Sequence, residues 1–214
     1  MNKNNLVILI VTSIICLLPI CLAIAVYDDL PEKVVMQWNF VQNPNWYAHK
    51  AVAAFGMPVF FMVINIFVNF FMLTDPKREN ASKAIRIFTQ WFISFLSLIL
   101  VPLQLLMNLG ADIPLLMIIL VLIGILSIFM GNYLPKNRQN YSIGIKVPWT
   151  LNDPENWNKT HRLAGIIWII GGILFIITAF LPLENITGII VICSIISMLV
   201  IVPIIYSYCL YKKS

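Results

Sequence analysis

The chain has 214 residues, of which 60% are hydrophobic and only 11% are charged, and its formal net charge is +5. Since a soluble domain carries about 25% charged residues, this composition excludes an ordinary soluble protein and indicates one integral membrane domain. We assign the positive charge to loops that face an anionic membrane leaflet, and we expect no nucleic-acid binding.

Six hydrophobic runs are long enough to cross a bilayer as helices, which takes about 20 apolar residues. None of them alternates polar and apolar residues with a period of two, so a membrane β-barrel is not expected. The predicted fold is therefore an all-α integral membrane protein with six transmembrane helices. The helices are predicted over Leu6–Tyr27, Val52–Leu73, Ala84–Met107, Ile113–Gly131, Leu163–Leu181 and Thr187–Cys209.

The placement of Lys and Arg predicts the orientation of these helices, because cytoplasmic loops carry an excess of both. With the N-terminus inside, twelve of the 14 basic residues lie on the inner side, and only Lys33 and Lys50 lie outside. We therefore predict that both termini are cytoplasmic (N-in/C-in). This orientation gives one large outer loop, Asp28–Ala51, and one large inner loop, Asn132–Arg162.

The first run also has features of a secretory signal peptide, since Lys3 precedes it and Ala23-Ile24-Ala25 has the form of a cleavage site. Its apolar part is longer than the usual 7–15 residues or so, which favours a retained helix. The rest of the topology is the same in either case. We divide the chain into residues 1–75, with the first two spans and the outer loop, and residues 76–214, with four spans.

The outer loop combines a strand pattern with aromatic residues. Residues 34–38 alternate in character and predict a short strand, while Asn43-Pro44-Asn45 indicates a turn. Such a segment can pair with an incoming peptide strand, or it can rest on the bilayer as an amphipathic cap. His49 has no Cys or second His beside it, so we expect no metal and no cofactor.

The membrane interior carries no Asp, Glu, Lys, Arg or His between the flanking residues of each span. This disfavours ion-coupled transport and intramembrane proteolysis, which place ionisable groups at depth. Asn65 and Asn69 share one helix face, and the pattern indicates interhelical hydrogen bonds or a polar pocket. Gly165 and Gly172 start a row of small residues at steps of seven, which predicts a close helix contact.

The inner loop has signals of its own. Asp153-Pro154 predicts an N-cap followed by proline at the first helical position, so the fifth helix should begin near Pro154. Trp157 and His161 are then i,i+4 neighbours on that helix. Gly144 suggests a tight turn. A general-base role for His161 would need an orienting third group, and since none is evident we predict no catalysis.

Both large loops resemble those of the SdpI family, bacterial membrane immunity proteins against a secreted peptide toxin of the sporulation-delaying type. The first match resembles a DUF1648-type domain and comprises Leu30-Pro31-Glu32-Lys33-Val34, Trp38-Asn39, Tyr47 and Lys50. The second comprises Asn140, Ile143-Gly144-Ile145-Lys146, Pro148-Trp149-Thr150-Leu151, Trp157 and Thr160-His161-Arg162.

Three positions depart from the family pattern. Gln37 stands where the family usually has His, and Phe40-Val41-Gln42 lacks the usual Gly. Lys146 replaces the usual Arg, which keeps the charge but loses the bidentate hydrogen-bonding geometry. The roles of the His and the Arg in relatives are therefore not carried over to Gln37 and Lys146.

The resemblance implies a non-enzymatic protein of the bacterial cytoplasmic membrane that protects the cell from the toxin and sequesters a cytoplasmic repressor. The expected partners are membrane lipids, the toxin outside and the repressor inside. The predicted toxin-sensing residues are Pro31, Trp38, Asn39, Trp46, Tyr47 and Lys50. The predicted repressor-docking or structural residues are Asn140, Gly144, Lys146, Trp149, Thr150, Trp157, His161 and Arg162. The alternative is an exporter or transporter of an amphipathic peptide or lipid-like molecule.

Overall fold

The computed structural model describes residues 3–39, 43–182 and 185–213. Within these ranges the chain is mostly helical, and six helices are long and apolar enough to cross a membrane, which confirms the predicted fold class. They are Lys3–Ala25, Val52–Thr74, Lys83–Asn108, Leu115–Lys136, Pro154–Ala179 and Ile186–Tyr211. The segment Phe40-Val41-Gln42, where the family glycine was expected, lies outside the described residues.

The chain divides into two compact units, and the first comprises residues 1–73 and 87–115. Its helices are α1 (Lys3–Leu17), α2 (Pro19–Ala25), α3 (Met57–Thr74) and most of α4 (Lys83–Asn108), with a π-helical turn at Val52–Gly56 before α3. A break separates α1 from α2 because Pro19 has no N–H to continue the helix. Two antiparallel strands, β1 (Lys33–Trp38) and β2 (Pro44–His49), form a hairpin between α2 and the π-helical turn.

Buried amides hold the helices of the first unit together. Asn65 Nδ2 donates to the hydroxyl oxygens of Thr12 and Ser13 on α1 at 2.9 and 3.2 Å. Asn69 Nδ2 reaches the backbone oxygen of Gln90 on α4 at 3.4 Å. Both asparagines are fully buried. The interhelical hydrogen bonds predicted for this pair are thereby confirmed.

The second unit comprises residues 74–86 and 116–214. It contains α5 (Leu115–Tyr133), the short α6 (Pro148–Asn152), α7 (Pro154–Ala179) and α8 (Asn185–Tyr211), with 3₁₀ turns at Arg78–Asn80 and Leu134–Lys136. The start of α7 at Pro154 is as predicted, and Asp153 caps it by accepting the Glu155 N–H at 2.8 Å. The predicted division of the chain at residue 75 stays a prediction.

Glycines bring α5 and α7 into backbone contact. A Cβ on Gly172 would lie 2.6 Å from the Gly124 carbonyl oxygen, and a Cβ on Gly165 would lie 2.7 Å from that of Gly131. No side chain larger than hydrogen fits at these crossings without a shift. The close contact predicted for Gly165 and Gly172 is confirmed, and its partners are two glycines on α5 that are also seven residues apart.

Candidate functional site

A folded cap forms where the loop before α7 packs on the start of that helix. We use the name cap for residues 75–82 and 134–161. At its centre the rings of Trp157 and His161 stack, with centroids 3.9 Å apart and planes inclined by 22°. Trp157 is 0% and His161 is 1% exposed. The predicted i,i+4 neighbours therefore form a buried platform.

Both ring nitrogens of His161 have a partner. The backbone N–H of Ile145 donates to Nε2 at 3.0 Å, so Nε2 carries no proton. Nδ1 lies 2.8 Å from the carbonyl oxygen of Trp157, so we place the ring proton there. The imidazole is then neutral, and its one lone pair is occupied. This arrangement joins the loop to the helix and argues against a general-base role for His161.

Gly144 lies directly against this platform. Its φ of +120° is a conformation that L side chains rarely adopt. A Cβ at this position would lie 2.4 Å from His161 Nε2 and 3.0 Å from Trp157 Cη2. The chain bends over residues 141–144, where a tight turn was predicted, and glycine is required there both for the backbone angle and for the close approach.

Three side chains of the cap form hydrogen bonds with the backbone of the loop. Asn140 Oδ1 accepts the N–H groups of Ser142 and Ile143 at 3.1 and 2.7 Å. Thr150 Oγ1 accepts the Val147 N–H at 3.1 Å. Trp157 Nε1 donates to the Asn137 carbonyl oxygen at 2.9 Å. Asn140 and Thr150 are both fully buried, so their role within the cap is structural.

The loop after α3 is also part of the cap, which the sequence reasoning missed. Asp75 is 6% exposed, and its carboxylate accepts the N–H groups of Lys77 at 2.8 Å and Tyr141 at 3.0 Å, and the Ser142 hydroxyl. Burial raises the pKa of Asp75, but these hydrogen bonds outweigh it and leave the pKa below its ordinary value. The available signal was an Asp directly before a proline at a helix end, which is typical of a turn.

More hydrogen bonds join the two loops. Asn80 Nδ2 donates to the Gln139 carbonyl oxygen at 2.7 Å, and the backbone carbonyl oxygen of Asn80 accepts the Arg138 N–H at 2.9 Å. The Ser82 N–H donates to Asn137 Oδ1 at 2.7 Å. The cap is therefore one folded element built from two loops.

A buried pair also fixes α8 to the base of α7. Asn156 Nδ2 donates to the Ser207 carbonyl oxygen at 2.9 Å, while the Ser207 hydroxyl donates to Asn156 Oδ1 at 2.7 Å. Both residues are buried. Neither residue was singled out in the sequence, because a polar residue on a helix carries no local sign of its partner.

The remaining predicted residues of the cap region lie nearer its surface. Lys146 is exposed, and its ammonium donates to the carbonyl oxygens of Tyr141 and Ser142 at 3.0 and 3.1 Å. Trp149 is half-buried against Tyr208 of α8, with ring centroids 5.4 Å apart. Arg162 is exposed one residue beyond the cap. A partner that binds here would touch these three residues rather than the Trp157–His161 platform.

The hairpin is anchored to the end of α4. The side-chain amide of Asn108 accepts the Val35 N–H at 2.6 Å and donates to the Val35 carbonyl oxygen at 3.0 Å, as a neighbouring strand would. Gln104 Nε2 lies 2.8 Å from the sulfur of Met36. The predicted short strand is confirmed as β1, and two amides that share one face of α4 hold it.

The turn predicted at Asn43-Pro44-Asn45 is wrong. Pro44 and Asn45 lie in β2 instead of in a turn, since a proline is tolerated as the first residue of an edge strand. Next to the strands, the Asn39 N–H donates to the Asn43 carbonyl oxygen at 2.8 Å, and the Asn43 N–H donates to Asn39 Oδ1 at 2.8 Å.

The hairpin presents aromatic side chains on its exposed strand. Trp46 is 54% and Tyr47 is 51% exposed, whereas Trp38 at the end of β1 is half-buried. Pro31 is exposed before β1. The predicted outer-loop residues therefore belong to one small element, but they differ in how accessible they are.

An ion-pair cluster closes the base of the hairpin. The Glu32 carboxylate pairs with Lys50 at 3.1 Å and with His49 at 3.3 Å. The hydrogen bond from Lys50 lowers the pKa of Glu32. The Lys50 ammonium also lies over the Tyr27 ring, 4.8 Å from its centroid.

Six spans, a two-loop cap at the start of α7 and a hairpin before α3 define a multi-pass membrane protein. Residues 136–207 match the model of the SdpI/YfhL protein family, and residues 14–62 match the domain of unknown function DUF1648. The chain is 29% identical over 213 residues to Immunity protein SdpI of Bacillus subtilis (strain 168), covering 100% of this chain and 98% of that protein. No solved structure matches.

These matches confirm the resemblance to the SdpI family that the two loops predicted. Together with the six spans, they make the chain a multi-pass protein of the cytoplasmic membrane. The orientation of the termini stays a prediction.

Proposed function

We propose that the protein is a membrane immunity protein that protects its cell against a secreted peptide toxin of the sporulation-delaying type. Similarity to an immunity protein along the whole chain supports this function. The observation that carries the proposal is the hairpin, which exposes Trp46 and Tyr47 on a strand that the Asn108 amide holds to α4 through β1. An anchored aromatic strand is suited to bind a peptide.

The proposed orientation is N-in/C-in, because twelve of 14 basic residues then face the cytoplasm. In this orientation the hairpin faces the side from which a secreted toxin arrives, and the cap faces the cytoplasm.

The toxin-sensing role is tested by replacing Trp38, Trp46 and Tyr47 together with Ala and measuring survival of a toxin-sensitive strain at equal protein levels. We expect protection to be lost, because the exposed aromatic surface of the hairpin is gone. The matched control is Tyr141→Ala, which removes a comparably exposed aromatic side chain, 49% accessible, from the cap. Full protection by the triple variant would refute the toxin-sensing role.

For the signalling role implied by the family resemblance, we propose that the cap region recruits a cytoplasmic repressor through Lys146 and Arg162. Both side chains are exposed, and Arg is often a main contributor to protein interfaces. The Trp157–His161 platform would act indirectly by positioning the loop that carries Lys146.

Recruitment is measured with a fluorescently tagged repressor after toxin exposure. Arg162→Ala should weaken recruitment, whereas Lys159→Ala should not, because the Lys159 ammonium is engaged with Glu155 on the same helix at 2.6 Å. Equal recruitment by both variants and the parent at matched abundance would remove Arg162 from the docking surface.

A further inference from the structure

We propose that the free edge of β2 binds an extended peptide segment as a third strand of the hairpin. This inference rests on the function proposed above and specifies how the toxin is held: mainly through backbone hydrogen bonds, with the aromatic side chains beside them.

The direction of the backbone groups follows from Asn108. In an antiparallel pair of strands, two directly opposed residues either exchange backbone hydrogen bonds with each other, or both direct their N–H and C=O groups away from the partner strand. Val35 is opposed to Tyr47, and both polar backbone groups of Val35 are bonded to Asn108 instead. The backbone N–H and C=O groups of Val35 therefore point away from β2. Those of Tyr47 must then point away from β1, towards the outer edge of the sheet.

The same alternation assigns His49 to that edge. His49 is opposed to Lys33, two residues from the Val35–Tyr47 pair. The next pair is Glu32 and Lys50, and its backbone groups point inward, as the alternation requires: the Lys50 N–H donates to the Glu32 carbonyl oxygen at 3.0 Å. The sheet in the described part of the chain has only these two strands. Tyr47 and His49 thus place two N–H and two C=O groups at the outer edge of β2, where a third strand could pair with them.

Among the residues that the structure describes, only the outer edge of β2 is uncovered. The outer edge of β1 is covered at Val35 by Asn108, and the neighbouring Val34 is 0% exposed. Five of the six residues of β2 are exposed and the sixth is half-buried. An incoming strand can therefore add to β2 and not to β1, which gives the site one geometry.

The occupant is best matched by an extended peptide with apolar side chains and a basic residue. Trp46 and Tyr47 are consecutive in the strand, so their exposed rings lie on opposite faces and can contact both faces of an added strand. Asp28 and Asp29 are exposed before the hairpin, and the ion pairs of the described residues do not include them. Their carboxylates would attract a cationic residue.

Proline substitutions separate backbone from side-chain binding. Tyr47→Pro removes one outward N–H and no hydrogen bond within the hairpin, and Tyr47→Ala removes the same side chain but keeps the N–H. We expect Tyr47→Pro to protect a toxin-sensitive strain at least about tenfold less well than Tyr47→Ala. Ala48→Pro is the folding control, since it removes an inward N–H and should disrupt the hairpin. Equal protection by the two Tyr47 variants would overturn strand addition.

The direct measurement is residue-resolved amide exchange of the intact protein in lipid nanodiscs, with and without synthetic mature toxin of the sporulation-delaying type. The amides of Tyr47 and His49 should exchange at least about tenfold more slowly with toxin, while that of Ala48 stays unchanged. Uniform slowing across β2, or no slowing at Tyr47 and His49, would overturn the inference. Slowing that depends on protein concentration without toxin would identify a second copy as the occupant and would also overturn it.

The proposed function can survive such a failure. If the triple aromatic variant loses protection but Tyr47 and His49 exchange as before, the toxin is sensed by side chains alone, and only strand addition is wrong. If the triple variant protects fully, the toxin-sensing role fails, and the strand-addition inference that rests on it fails as well.

Discussion

The sharpest stability prediction concerns Gly144, which lies against the buried platform of Trp157 and His161. In Gly144→Ala, the new Cβ would lie 2.4 Å from His161 Nε2 and 3.0 Å from Trp157 Cη2, at a φ of +120°. The backbone angle costs about 1–3 kcal/mol, and overpacking against two buried rings adds about 1–3 kcal/mol. If the loop shifts to relieve the clash, the Ile145–His161 hydrogen bond is lost at a similar cost. The sum of the two terms gives an expected destabilisation of about 2–6 kcal/mol.

Gly110→Ala is a matched control for the backbone angle. Gly110 also has a positive φ, +92°, but nothing lies within 4 Å of a Cβ built there. This variant should therefore lose only the backbone term, about 1–3 kcal/mol. Both are measured by reversible denaturant titration of the purified protein in detergent, followed by tryptophan fluorescence. Equal destabilisation of the two variants would refute the tight packing of Gly144 on the platform.

Three further substitutions test the cap, the helix contact and the topology. The pKa of Asp75 is lowered, so its carboxylate stabilises the fold above the ordinary pKa near 3.8, and this contribution is lost as pH falls through the folded pKa. Asp75→Asn should therefore cost about 1–3 kcal/mol at pH 7. When the denaturant titration is repeated towards pH 3, the stability of Asp75→Asn should fall less steeply than that of the parent protein. Gly172→Ala should cost about 1–3 kcal/mol because its Cβ meets the Gly124 carbonyl oxygen. In the control Gly56→Ala the nearest atom is a side-chain carbon at 3.4 Å, so the loss of stability should be small. Similar Tm values for the two variants would contradict the helix contact. A cysteine at Gln42, which lies outside the described residues, should react with a membrane-impermeant maleimide in intact cells, and reaction only after permeabilisation would refute the N-in orientation.

The parts of the fold that the sequence predicted are those with local causes. Six spans follow from apolar length, the start of α7 follows from Asp153-Pro154, and β1 follows from alternation over a few residues. Gly144 was also recognisable, since a glycine between two isoleucines in a polar loop is typical of a tight turn. In each case the physical signal lies within one continuous segment of the chain.

The contacts that complete both candidate sites join residues far apart in sequence, and this is why sequence reasoning could not supply them. Asp75 accepts from a backbone N–H 66 positions later, at Tyr141, and Asn108 reaches back 73 positions to Val35. His161 was noticed for its chemistry, but its acceptor role towards the Ile145 N–H depends on how the loop folds back. The identity of a polar residue does not specify which backbone groups it will meet.

The central claim, that this chain confers immunity to a secreted peptide toxin, is tested most directly by expressing it in a strain that lacks its own immunity protein. The strain is challenged with purified toxin of the sporulation-delaying type, and the inhibitory concentration is compared with that of cells carrying an empty vector. We predict a rise of at least about tenfold, which Asn108→Ala should abolish at equal abundance because the hairpin loses its anchor on α4. An unchanged inhibitory concentration with the protein inserted and abundant would contradict the claim.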